Sequence, residues 1–276
     1  MSGGESFDYI QAAVLGAIQG ITEFLPISST AHLRIVPELL GWPDPGVAAS
    51  AVIQLGTVFA ILIYFSRDLA RLFANAARGG AGGKDSLRLL AGIAIGSVPI
   101  VVTGLLLEKW IDNEFRSLWV ISASLVIFAI LLAIADRIAF RAKRPLESVS
   151  IADALFVGIA QTFALVPGAS RSGTTMTGAF FLGIERGAAA RYSFLLSIPA
   201  ITGAGLYKFW KERAVLSGPG IGPLAVATAT AAIVGYLSLD FLLKYLKTRS
   251  AAPFVLYRLG LAALLVILLL TGTIKA

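Results

Sequence analysis

The chain has 276 residues, 57% of them hydrophobic and only 14% charged, with a net charge of +7. Soluble domains carry about 25% charged residues and could not bury this much apolar surface, and disorder needs the opposite composition, so the chain reads as an integral membrane protein. With no Cys and one His, disulfides, thiolate chemistry and any mechanism that needs two histidines from one chain are excluded.

The first residues, Met1 to Asp8, hold two acids and no base, unlike a signal peptide. Tyr9–Thr22 is then apolar, but Glu23, Pro26 and the cluster Ser28-Ser29-Thr30 interrupt it before a second short apolar stretch, Ala31–Leu40. Three charge-free runs follow, Pro45–Ser66, Leu89–Leu107 and Ser117–Ala135. The pattern then repeats. Ala154–Ser170 is apolar but broken by Pro167-Gly168 just before Arg171, and Gly173–Ile184 follows. Three more runs complete the chain: Tyr192–Tyr207, continuing to Trp210 past Lys208, then Ala214–Leu239, then Leu259–Ile274 behind Arg258. A membrane helix needs about 20 residues, which predicts six spans.

The two broken stretches are too short on either side of their prolines to cross a bilayer. They predict re-entrant helical hairpins at about 7–40 and 151–185, with a pair of kinked spanning helices as the alternative. Phe24–Ser29 lines up with Leu165–Ser170, and a Gln precedes both, at Gln19 and Gln161. The expected architecture is therefore a single all-α membrane domain over 1–276, made of repeats at 1–145 and 146–276. A hairpin plus three spans crosses an odd number of times, so the second repeat is inverted relative to the first. Basic residues test this arrangement. Fourteen lie on one side, from Arg67 to Arg88, Arg137 to Arg144, Arg186 to Arg191 and Lys244 to Arg249; six lie on the other, Lys109, Arg116, Lys208, Lys211, Arg213 and Lys275. The positive-inside rule makes the first side cytoplasmic, so the basic excess reads as orientation and not as a nucleic-acid surface. Both termini and the mouth of the first hairpin then face outward. The Gly79–Gly83 linker is a flexible loop without implied chemistry.

Ionisable groups at membrane depth are costly and tend to mark function. Gln19 and Glu23 are one helical turn apart. Pro26 ends their helix, and Ser28, Ser29 or Thr30 can cap the next, leaving free N–H groups at its start. The sole histidine, His32, follows. In the second break Ser170 or Ser172 can cap a helix beside Arg171, whose permanent planar fork suits phosphate oxygens; Thr175 follows one turn later. A structural reading stands beside each: hydroxyls next to Pro are ordinary caps, Glu23 can bond backbone at the break, and Arg171 can simply pair with Glu23. The last is compatible with a phosphate site. Gln54, inside a span, reads as helix packing or as a cavity lining.

The stretches QGITEFLPISSTAHL at 19–33 and VPGASRSGTT at 166–175, with VIQLGT at 52–57, resemble the bacterial undecaprenyl-diphosphate phosphatases, the BacA/UppP family, and the likeness runs over essentially the whole chain. The family's first motif starts with Glu or Gln; here it starts with Gln19, leaving Glu23 as its only carboxylate. The resemblance implies a hydrolase of the bacterial inner membrane that converts undecaprenyl diphosphate to the monophosphate, recycles the lipid carrier for cell-wall synthesis and confers bacitracin resistance. Its implied partners are undecaprenyl diphosphate and membrane lipid, with a homodimer left open.

On that basis Arg171, Ser170, Ser172, Thr175, Ser28 and Thr30 are expected to hold phosphate. Glu23, supported by Gln19 and Gln54, is expected to bind a divalent cation, Mg²⁺ or Ca²⁺, or to orient the nucleophile. Ser29 with His32 as base, His32 as nucleophile or acid, and direct attack by water all stay open. The active site is expected to open to the periplasmic face. A polyprenyl-phosphate transporter using the same midplane site is the rival, since inverted repeats and broken helices are transporter features. The type-2 phosphatidic acid phosphatases resemble the chain in Ser-Arg and Pro-Ser elements but require two histidines.

Overall fold

The structure, a computed structural model, describes residues 8–112, 117–213 and 220–274. Met1 to Phe7, Arg116, Lys275 and the first residues of the 214–239 run lie outside them. The regular secondary structure of the described residues is all helix, apart from one isolated bridge between Arg144 and Ile184.

The first broken stretch forms α1 (Tyr9–Phe24) and α2 (Ser29–Leu40), of 16 and 12 residues. Asp8 starts α1 as a capping box with Gln11, and Pro26 keeps α1 from running on into α2. The long helices α3 (Gly46–Tyr64), α5 (Gly80–Leu106) and α7 (Leu118–Ala139) follow. Between α3 and α5 lies α4 (Ser66–Arg78), strongly amphipathic and without a buried residue; α6 (Glu108–Asp112) is a single turn after α5. The second broken stretch forms α8 (Ile151–Thr162), a 3₁₀ turn at Phe163–Leu165, and α9 (Arg171–Phe181). Then come α10 (Arg186–Lys211), α11 (Ile221–Leu246) and α12 (Ala252–Leu270).

Among the described residues, α3, α7, α11, α12 and residues 82–106 of α5 are long and apolar enough to cross a membrane, five helices where six spans were expected. The remaining expected span is α10. It is 26 residues long, about 39 Å at 1.5 Å per residue. Arg186, Arg191, Lys208 and Lys211 make it the least apolar of the long helices.

Both breaks end in an unusual cap. Ser28 (φ 74°) and Ser170 (φ 70°) are the only non-glycine residues with positive φ among those described. Each side chain accepts from the N–H three residues on, Ala31 and Gly173. The equivalent residues are therefore Ser28 and Ser170, with Gln19 matching Gln161 and Ser29 matching Arg171. This corrects the proline-on-proline alignment by one position. Gly168 (φ 95°) supplies the extra residue between Pro167 and its cap.

The helices pack in a crossed pattern: α1 lies against α11 and α8 against α5, while α3 meets α10 and α7 meets α12. Glycine makes the crossed contacts close. A Cβ at Gly16 would lie 2.2 Å from the Ala227 carbonyl oxygen, and one at Gly158 would lie 2.2 Å from that of Gly96. Backbone approach of this kind replaces hydrophobic driving force between helices in lipid.

Candidate active site

The two breaks meet, and several hydrogen bonds join them directly. Gly168 N donates to Ser28 Oγ at 3.2 Å, and Ser172 Oγ donates to the Leu25 carbonyl at 3.2 Å. Arg171 Nη2 donates to Glu23 Oε1 at 2.9 Å, an ion pair whose side chains are only 10% and 4% exposed. The other fork nitrogen, Nη1, donates to the Ser193 carbonyl at 3.3 Å, and the buried Nε has no partner.

Glu23 is the hub. Its Oε2 accepts from Gln19 Nε2 at 2.8 Å and from Ser29 Oγ at 2.7 Å. The α1 turn that separates Gln19 from Glu23 puts both on one face of the helix, and the break then returns Ser29 to the same carboxylate. The Gln19 Oε1 beside it is buried without a partner.

His32 is not part of this hub. Its Nδ1 lies 2.7 Å from the Ser28 carbonyl, which can only accept, so Nδ1 carries the proton. Nε2 then accepts from the Tyr257 hydroxyl at 2.6 Å, and the two rings stack 5.6 Å apart at 12°. The pairing of Ser29 with His32 weighed from their spacing is thus not the one formed: the Ser29 hydroxyl goes to Glu23.

A cavity of about 470 Å³ opens on this cluster. Glu23, Ser29, Thr30, Ser170, Arg171 and Gln54 line it, together with an apolar wall that includes Ile100, Val101, Leu105, Leu165 and Ile201. It reaches Glu108, just past the end of α5, and Lys208, in the last turn of α10. There Glu108 accepts from Lys208 and Lys211, each at 2.9 Å, and this holds its carboxyl down at about 2. Ser28, Ser172 and Thr175 are not on the cavity wall. Ser28 and Ser172 tie one break to the other, and Thr175 meets Ser193 of α10. In the first turn of α9, Ser170 takes the N–H groups of Gly173 and Thr174, which leaves those of Arg171 and Ser172 at the positive end of the helix dipole.

The sequence matches the family model described as bacitracin resistance protein BacA over residues 12–264. The chain belongs to this family. Its relatives include proteins named undecaprenyl-diphosphatase from Myxococcus xanthus, 49% identical over 96% of this chain and 91% of its own, and from Chloroherpeton thalassium, 47% identical over 98% and 99%. A third, of the same name from a Nocardioides species, is 46% identical over 98% and 99%. Both motifs that carry the resemblance form the walls of the cavity described above. Two residues of the BacA fold that the motifs do not include also reach the breaks, Tyr257 and Arg258 of α12. A charge at the start of the last apolar run is their only signal in the sequence, and there it marks no more than where the span begins.

Proposed function

We propose that the protein hydrolyses undecaprenyl diphosphate to undecaprenyl phosphate and inorganic phosphate. The observation that carries this is the meeting of Arg171 with Glu23 and Ser29 across two hairpins on one cavity wall, in a family whose relatives bear the name undecaprenyl-diphosphatase. The relatives' name is that of a phosphatase and gives the transporter reading no support.

The chemistry follows from the hub. In the ligand-free arrangement Arg171 neutralises Glu23. A terminal phosphate takes the guanidinium fork and the unbonded Arg171 N–H at the start of α9, and frees Glu23 to accept the Ser29 proton. Ser29 Oγ then attacks the terminal phosphorus. The bond to the bridging oxygen breaks and undecaprenyl phosphate leaves with the proton that Glu23 took from Ser29, which restores the Glu23 carboxylate. Water attacks the phosphoserine, Glu23 takes one water proton and returns a proton to Ser29, and phosphate departs. Most of the rate comes from positioning and charge, as expected for phosphoryl transfer. The apolar wall of the cavity suits the first units of a polyprenyl tail.

A divalent cation fits here only as a partner shared with substrate. Among the described residues no group of three or more Asp, Glu or His is placed to hold a metal. Glu23 and the unpartnered Gln19 Oε1 are the available donors, and Mg²⁺ is commonly bound by one carboxylate plus phosphate oxygens and water. Bound there, the ion would neutralise phosphate charge.

The crossed packing supports reading the fold as two inverted repeats, 1–145 and 146–276, with α1–α2 and α8–α9 as re-entrant hairpins and α10 as the sixth span. The cavity reaches Glu108 and Lys208, on the side with fewer basic residues, which supports a periplasmic opening in the inner membrane.

Purified protein in detergent tests the proposal. Phosphate release from undecaprenyl diphosphate, abolished in Glu23→Ala and reduced by a chelator, is expected. Binding without release would favour a carrier, and chelator-independent turnover would remove the cation.

A further inference from the structure

Arg258 is wholly buried and is the largest of the fully buried side chains. No carboxylate pairs with it among the described residues. Its fork donates only to backbone carbonyls: Nη1 to Pro26 at 3.4 Å, and Nη2 to Gly168 at 2.9 Å and Ala169 at 3.1 Å. Pro26 belongs to the first break and the other two to the second. Carbonyls that leave helical geometry at membrane depth have no water to turn to. One guanidinium therefore satisfies three of them, drawn from both hairpins. The planar fork, with donors on two nitrogens, makes this reach feasible.

The grip on Ala169 has a directional consequence. The peptide bonds of the described residues include no cis bond, and in a planar trans peptide the C=O and the following N–H point opposite ways. Anchoring the Ala169 carbonyl toward α12 therefore turns the Ser170 N–H away from α12. Ser170 lines the cavity, and no described group accepts from its N–H. Its side chain is already used to cap Gly173. Its positive φ is a conformation that surroundings must support, and the bond to the Ala169 carbonyl restrains the peptide on that side. The guanidinium also explains a small residue nearby: a Cβ at Gly173 would lie 3.0 Å from Arg258 Nη1.

We infer that Arg258 is a positioning residue that locks the two breaks together and aims the Ser170 N–H into the cavity as a donor to substrate phosphate. The assignment rests on the phosphatase reading. It differs from a filler role for a buried cation, because what it sets is the orientation of a peptide at the reacting phosphate and the spacing of Arg171 from Glu23 and Ser29.

Three purified proteins test it, wild type, Arg258→Met and Arg258→Lys, each assayed for kcat, KM, inhibition by inorganic phosphate and thermal midpoint in detergent. A wild-type protein that releases no phosphate would sink the phosphatase reading, and this assignment with it, before any variant is compared. With an active wild type, folded Arg258→Met is expected to lose about a hundredfold in kcat, the scale of a 1 Å misplacement, and to be inhibited more weakly by phosphate. Arg258→Lys keeps the charge but not the fork and is expected to recover only part of the loss. A lowered midpoint with wild-type kcat per folded molecule would make Arg258 merely structural and overturn the proposal. Should Arg258→Met not accumulate in folded form, Arg258→Lys decides alone: wild-type kcat and phosphate inhibition there would overturn the fork's role, and a loss in both supports it.

Discussion

Ser29 Oγ lies 2.7 Å from Glu23 Oε2, with the hydroxyl as donor. The bond crosses the first hairpin break, and in the mechanism proposed above Glu23 takes the serine proton through it. Replacing Glu23 by Gln keeps the shape and removes the base, so turnover is expected to fall by about 10²–10⁴-fold. Ser29→Ala is expected to fall at least as far, and His32→Gln less than either, since His32 serves Ser28 and Tyr257. Rates of phosphate release in the three variants check the order. A His32→Gln protein as inactive as Glu23→Gln would return the base role to the histidine.

Arg171 divides its fork between Glu23 Oε1 and the Ser193 carbonyl. A lysine at this position offers one nitrogen and no planar fork. Arg171→Lys is therefore expected to retain its fold and lose about a hundredfold or more in kcat/KM, the range for removing one preorganised charge-stabilising donor. Near wild-type kcat/KM with an unchanged thermal midpoint would remove Arg171 from the phosphate clamp.

The breaks were legible because proline, a carboxylate, hydroxyls and an arginine are costly inside apolar runs and stand out against them. The partners of His32 were not. Ser29 and His32 are three residues apart and read as a pair, but the Ser28 carbonyl, four residues back, captures Nδ1 and aims Nε2 at Tyr257. That contact spans 225 positions in the chain, and no local spacing encodes it. The repeat match was off by one for a similar reason: two prolines aligned well in sequence, whereas the backbone aligns the two strained serines and absorbs the difference at Gly168. The weak apolarity of α10 follows from Arg186 and Arg191 at its start and from the Lys208 and Lys211 that bind Glu108 at its end.

Glu108 lies outside the spans, and its carboxyl is held down from 4.5 to about 2, first by Lys211 and then by Lys208. Because the folded value lies below the unfolded one, the cluster contributes its stability fully above pH 4.5 and loses it as pH falls toward 2. The ties between α6 and α10 are then expected to be insensitive to pH from 5 to 8 and to weaken below about 4.5. Thermal midpoints of wild type and Glu108→Gln against pH are the measurement. The difference between the two proteins should be constant at neutral pH and shrink on the acid side. A difference that grows in acid would mean the carboxylate is not stabilised by its lysines.

Gly158 sets how closely α8, and with it the second break, approaches α5. A Cβ there would meet the Gly96 carbonyl oxygen at 2.2 Å and its Cα at 2.8 Å, both backbone atoms that cannot rotate away. Gly158→Ala must therefore push α8 outward. Overpacking of this kind costs about 1–3 kcal/mol, read as a fall of several degrees in thermal midpoint. Activity per folded molecule should fall too, since α8 leads into the Ala169–Arg171 segment. Gly260, in α12, has nothing within 4 Å of the added methyl, so Gly260→Ala is expected to melt and turn over like wild type. Equal midpoints for the two variants would show that the α5–α8 contact has slack and does not position the site.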